Sequence, residues 1–179
     1  SAGWATAARL WRVRADGGAG PERVELAGPG VFNPSTAPCC DRLAYIRDVG
    51  GGSIYRFEPG VGAAPLIRSA FFDGNAQYSP DGRRIAFSSD RADERAEVWL
   101  VNADGTAVTR LTRGPGRDQG SPRWSPDGRT IAFDSQAADG RWDIWTIGVD
   151  GSGLRQITRG KADENMPSWS RDGRFVYYG

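Results

Sequence analysis

Short runs of alternating apolar and polar residues, each closed by a proline or glycine step, make up most of this chain. The clearest set is Arg123–Ser125, Thr130–Ser135, Trp142–Ile147 and Leu154–Thr158. A period of two sends successive side chains to opposite faces of a strand. Four strands in so few residues leave no room for a crossover helix, so the pattern predicts an antiparallel meander.

The corners between strands repeat. Ser79–Pro80–Asp81–Gly82–Arg83 recurs as Ser125–Pro126–Asp127–Gly128–Arg129 and again as Ser170–Arg171–Asp172–Gly173–Arg174, at spacings of 46 and 45 residues. Ser79–Gly114 aligns with Ser125–Gly160 without a gap, and about half the positions are identical. Aspartate hydrogen-bonds back into its own turn, and glycine takes positive φ without steric cost. Asp81, Gly82, Asp127, Gly128, Asp172 and Gly173 are therefore assigned to hairpin corners rather than to ligand contact.

Three complete units follow from this pattern, at 31–69, 76–112 and 122–158. In the first of them Phe32–Asn33–Pro34 takes the place of Trp124–Ser125–Pro126, and a longer turn then holds Cys39 and Cys40. Residues 1–9 read as an N-terminal extension. Residues 10–26 carry the third and fourth strands of one unit, and 167–178 the first and second of another. The two half-units are complementary, which gives four blades' worth of strands. Closing such sheets removes their edges. One chain pairing its own ends, two chains exchanging half-blades, or strands from a longer chain would each do so.

Composition narrows the chemistry. The charges nearly cancel, 23 basic against 22 acidic, with no basic block to suggest a nucleic acid partner. Histidine is absent, which removes the commonest general base and metal ligand. No run of apolar residues is long enough to span a membrane as a helix. The N-terminus lacks the basic-then-apolar pattern of a signal peptide. The adjacent cysteines read as two free thiols or a strained vicinal disulfide. No catalytic residue, metal site or cofactor is assigned.

Trp124–Ser125–Pro126–Asp127–Gly128–Arg129, Ile131–Ala132–Phe133, Ile144–Trp145 and Asp150–Gly151 together resemble the WD40-like repeats (PD40) of the TolB β-propeller family. The resemblance runs from about Leu10 to Tyr178. It implies an all-β propeller of four-stranded antiparallel blades, completed by dimerisation or by a missing remainder. It also implies a periplasmic or extracytoplasmic setting, and loops gathered at one mouth of the channel.

Those loops carry Asp73 and Asn75, then Asp118 and Gln119, then Asp163, Glu164 and Asn165. They read either as solvated turns or as a binding rim. Phe71, Phe72 and Trp142 fall outside the repeating aromatic positions and are candidate anchors for a partner. The leading expectation is a non-enzymatic scaffold that binds a protein or peptide. A carbohydrate-binding or carbohydrate-cleaving propeller, with Asp118 and Glu164 as paired carboxylates, is the second. An accessory propeller of a larger peptidase or regulatory protein is the third.

Overall fold

The computed structural model describes residues 8–16, 18–25, 30–48, 52–92 and 95–179. Most of the predicted N-terminal extension, together with Gly17 and Leu26 of the first half-unit, lies outside them. Among the described residues sixteen strands are arranged in five antiparallel sheets. The first half-blade pairs β1 (Trp11–Arg12) with β2 (Glu22–Arg23). Blade 1 runs β3 (Val31–Thr36), β4 (Leu43–Asp48), β5 (Gly52–Glu58) and β6 (Gly62–Ile67). Blade 2 runs β7 (Asp73–Tyr78), β8 (Arg84–Ala92), β9 (Arg95–Asn102) and β10 (Thr109–Arg110). Blade 3 runs β11 (Gln119–Trp124), β12 (Thr130–Gln136), β13 (Trp142–Gly148) and β14 (Arg155–Gln156). The last half-blade pairs β15 (Ser168–Trp169) with β16 (Val176–Tyr177). Strands in each full blade are hydrogen-bonded in chain order, as a meander requires.

Alternation along each strand decides which neighbour a side chain meets. Ile85, Phe87 and Val101 face blade 1, where they join Ala44, Ile54 and Tyr78 in one buried cluster. Ala86, Val98 and Leu100 point the other way and pack with Trp124, Ile131 and Phe133 of blade 3. Blade 2 is thus buried on both faces. Each fully buried aliphatic or aromatic side chain contributes about 1.5–3 kcal/mol.

Two sequence expectations need correction. The first strands begin earlier than Arg123–Trp124–Ser125 suggested: β11 starts at Gln119 and β7 at Asp73, so these segments are strand rather than loop. Their inner halves carry a bulge, between Gly74 and Gln77 and between Gly120 and Arg123, which hides the alternation. The Cys39–Cys40 turn is also no longer than the others. Ala37 N–H donates to Arg42 O at 2.9 Å just as Ser79 N–H donates to Arg84 O at 2.8 Å. Ala37–Pro38–Cys39–Cys40 therefore stands where Ser79–Pro80–Asp81–Gly82 stands. The two half-blades are separate two-stranded sheets among the described residues, in keeping with the open set of blades expected from the sequence.

Candidate functional site

The corners are closed by a side-chain clamp. Ser125 Oγ donates to Asp127 Oδ1 at 2.6 Å, Arg129 N–H donates to the same oxygen at 3.0 Å, and Thr130 N–H donates to Ser125 Oγ at 3.0 Å. The Ser79–Asp81 and Ser170–Asp172 corners repeat these bonds. The serine hydroxyl, then the arginine amide, hold the Asp81, Asp127 and Asp172 carboxyls below their ordinary pKa. Gly82, Gly128 and Gly173 all have φ near +70°, at 68°, 69° and 69°. These corner residues are occupied by the turn itself.

At the start of the first strands and in the segments before them most polar groups are held by neighbours, and Asp73 and Gln119 are buried. Asp73 is fully buried, ion-paired to Arg91 at 2.7 Å and hydrogen-bonded by Ser69 Oγ at 2.7 Å. The Arg91 guanidinium in turn lies over the Phe87 and Trp99 rings. Gln119, at the matching place in blade 3, is also fully buried and donates to Gly116 O and Ser135 Oγ. Asp118 accepts the Ala96 amide at 3.1 Å and Asp163 the Trp142 amide at 3.2 Å, so both fix the start of a third strand. Glu164 N–H donates to Trp142 O, and its side chain lies against Gly160. Asn165 exchanges two backbone bonds with Gly179. Trp142 is half-buried. Phe71 and Phe72 are exposed, but the Phe72 ring sits about 3 Å from where a Cβ on Gly52 or Gly74 would stand, so it bridges blades 1 and 2.

Further along the same strands the picture changes. Asn33, Asn75, Ser121 and Met166 share a left-handed backbone, with φ of 50°, 52°, 43° and 53°. Asn33, Asn75 and Ser121 recur at the third residue of β3, β7 and β11, and Met166 lies two residues before β15. Asparagine tolerates this conformation better than most residues. The bulge there turns the side chains of neighbouring blades toward one another: Asn33 Nδ2 donates to Asn75 Oδ1 at 2.9 Å. Between the first strands of the three full blades opens a cavity of about 590 Å³. Its polar lining includes Asn33, Ser35, Asn75, Gln77 and Arg123, and among the described residues no carboxylate borders it.

The walls are tied blade to blade. Tyr78 N–H donates to Ser35 Oγ at 3.1 Å, and Trp124 N–H donates to Gln77 Oε1 at 2.8 Å. Trp124 Nε1–H donates to Gln77 O and Trp169 Nε1–H to Arg123 O, both at 3.1 Å. Arg123 donates to Pro122 O, and among the described residues it makes no ion pair. Burial pulls its pKa below the ordinary guanidinium value, which the Asp134 charge partly offsets. The cavity thus offers amide groups and one incompletely satisfied cation, a set suited to carbonyl and carboxylate oxygens.

Of the rim residues expected from sequence, only Asn75 lines this cavity. Asn33, Gln77 and Arg123 were missed. The signal that could have found them is distance before the corner: with Pro38–Cys39–Cys40 aligned to Pro80–Asp81–Gly82, Asn33 matches Asn75, and Gln77 matches Arg123. Among the described residues no helix is long and apolar enough to cross a membrane.

A family model described as the TolB β-propeller domain matches residues 18–179. The fold is similar to TolB from Acinetobacter baumannii, with a TM-score of 0.80, 20% identity, and coverage of 95% of this chain and 42% of that one. A TolB candidate from Agrobacterium tumefaciens gives a TM-score of 0.83 at 27% identity, covering 95% and 62%. In sequence, the chain is 30% identical over 90 residues to the uncharacterized peptidase YuxL of Bacillus subtilis (strain 168), which is 46% of this chain and 14% of that protein. The chain spans less than two thirds of each of these relatives.

Proposed function

As the chain belongs to the TolB β-propeller domain family, we propose that it is a non-enzymatic binding module that takes an extended, acidic peptide segment of a protein partner into the cavity between its first strands. The observation that carries this reading is the lining. Asn33, Asn75, Gln77 and Arg123 present amides and a guanidinium, and among the described residues no carboxylate lines the cavity. Carbonyl oxygens of an extended segment match amide donors, and a side-chain or terminal carboxylate matches Arg123. An array of extended peptides with and without acidic residues tests it. The acidic members are retained, and Arg123→Ala weakens them about 10–100-fold, as expected for a lost charged hydrogen bond of about 1.5–3 kcal/mol. Equal retention of neutral and acidic peptides would refute the assignment.

A second reading draws on the similarity to YuxL, a peptidase: the propeller is an accessory part of a larger enzyme. Under it, peptide hydrolysis requires residues beyond these blades, and this chain alone binds without cleaving. Measurable cleavage by the chain itself would contradict both readings. The half-blades are completed by further strands of a longer chain or by a second copy. Light scattering separates the two, because exchange gives a particle of twice the chain mass.

A further inference from the structure

One corner of the fan is built without the polar clamp. Ala37–Arg42 has the backbone bonds of the other corners, yet Ala37 and Cys39 stand where they have serine and aspartate, and Cys40 stands at the glycine. Neither replacement can supply the hydroxyl-to-carboxylate bond. Two thiols occupy the place instead, both exposed to solvent, with their Sγ atoms 2.7 Å apart. The site touches both neighbours. Cys39 Sγ lies so close to Gly82 that a Cβ there would collide with it. Cys40 borders an open cavity of about 840 Å³ between the first half-blade and blade 1, shared with Trp11, Leu43 and Phe57.

We propose that Cys39 and Cys40 form a reversible redox modification site, at which a low-molecular-weight disulfide converts the two thiols into a vicinal disulfide that clamps this corner. One cysteine thiolate attacks the small disulfide, forms a mixed disulfide and releases one small thiol. The second cysteine then attacks the protein sulfur of that mixed bond, closes the vicinal disulfide and releases the second small thiol. Two electrons and two protons leave the protein, and the small disulfide is reduced to two thiols. Adjacent Cα atoms across a trans peptide lie about 3.8 Å apart, below the span most disulfides adopt, and such a mismatch makes the bond easier to reduce. That favours a switch over a permanent staple.

Access agrees with the assignment, and the thiol chemistry sets its pH dependence. Both sulfurs are reachable from solvent, so a small oxidant needs no opening of the fold. The hydrogen bond to Cys39, reinforced by desolvation and Glu58 and opposed by Arg42, holds the Cys40 thiol above its ordinary pKa. Attack through the thiolate therefore quickens as pH rises.

The test treats the reduced protein with oxidised glutathione and follows free thiols and intact mass. Both thiols disappear together, the mass falls by two hydrogens, and dithiothreitol restores both. Cys39→Ser and Cys40→Ser instead each hold glutathione as a stable mixed disulfide. A wild-type chain that retains glutathione, or that cross-links to a second chain, overturns the site. Hydrogen exchange at the Ala37 amide, which donates to Arg42 O, reads the clamp. Slower exchange after oxidation supports it, and unchanged or faster exchange overturns the clamping role.

Discussion

Asp73 and Asn75 lie two residues apart on one strand, and the fold uses them in opposite ways. Asp73 is sealed at the strand's outer start, its charge matched by Arg91 and its second oxygen by Ser69. Asn75 sits on the bulge, in a left-handed conformation that turns it toward Asn33 and the open cavity. Both looked equally polar and equally loop-like along the chain. The difference teaches that a polar side chain is free for a ligand only where the backbone and its neighbours have left it incompletely satisfied.

Breaking the sealed end should have the largest effect. Asp73→Ala leaves the half-buried Arg91 without its carboxylate, and breaking a buried pair costs up to about 3–5 kcal/mol; urea unfolding checks this, and a loss under 1 kcal/mol would contradict the sealed assignment. Next comes the corner that supports the strand. Gly128→Val forces a β-branched residue into φ of 69°, at a cost of about 1–3 kcal/mol, read as a lowered melting temperature.

The open end should respond in binding rather than in stability. Asn75→Gly keeps the left-handed backbone, so stability changes by about 1 kcal/mol or less, while retention of acidic peptides falls. A variant that unfolds, or that binds as before, would erase the contrast with Asp73. The smallest effect concerns acid. Because the folded state holds the Asp81, Asp127 and Asp172 carboxyls below their ordinary pKa, their contribution is present at neutral pH. It is lost as pH falls below the usual carboxylate range and through the folded values. Asp127→Asn should flatten that acid limb of stability slightly, as followed by melting temperature against pH.

How much of this was legible along the chain depended on how local the cause is. The Ser125–Pro126–Asp127–Gly128 corner is legible because its clamp closes within five residues, and the same bonds appear in the structure. Ile131–Ala132–Phe133 is legible because a strand's two-residue period sorts side chains by face, and all three are buried. The first strands were not, because the bulge between Gly120 and Arg123 breaks the period where the site lies. Arg123 passed unnoticed for another reason: it meets Asn33, Asn75 and Gln77 around one cavity only when three blades lie side by side.

The sequence by itself determined the antiparallel blades, their 45–46-residue repeat and the corners, since hydrogen bonds within a hairpin and alternation along a strand are short-range effects. Only the tertiary structure decided that Asp73 and Gln119 are buried, that Asn33 and Asn75 meet, and that the cysteines stand in an ordinary corner. The meeting of Asn33 and Asn75 depends on how one blade lies against the next, a placement fixed by packing between residues far apart in the chain, while the cysteine corner shows only in the pairing of Ala37 with Arg42.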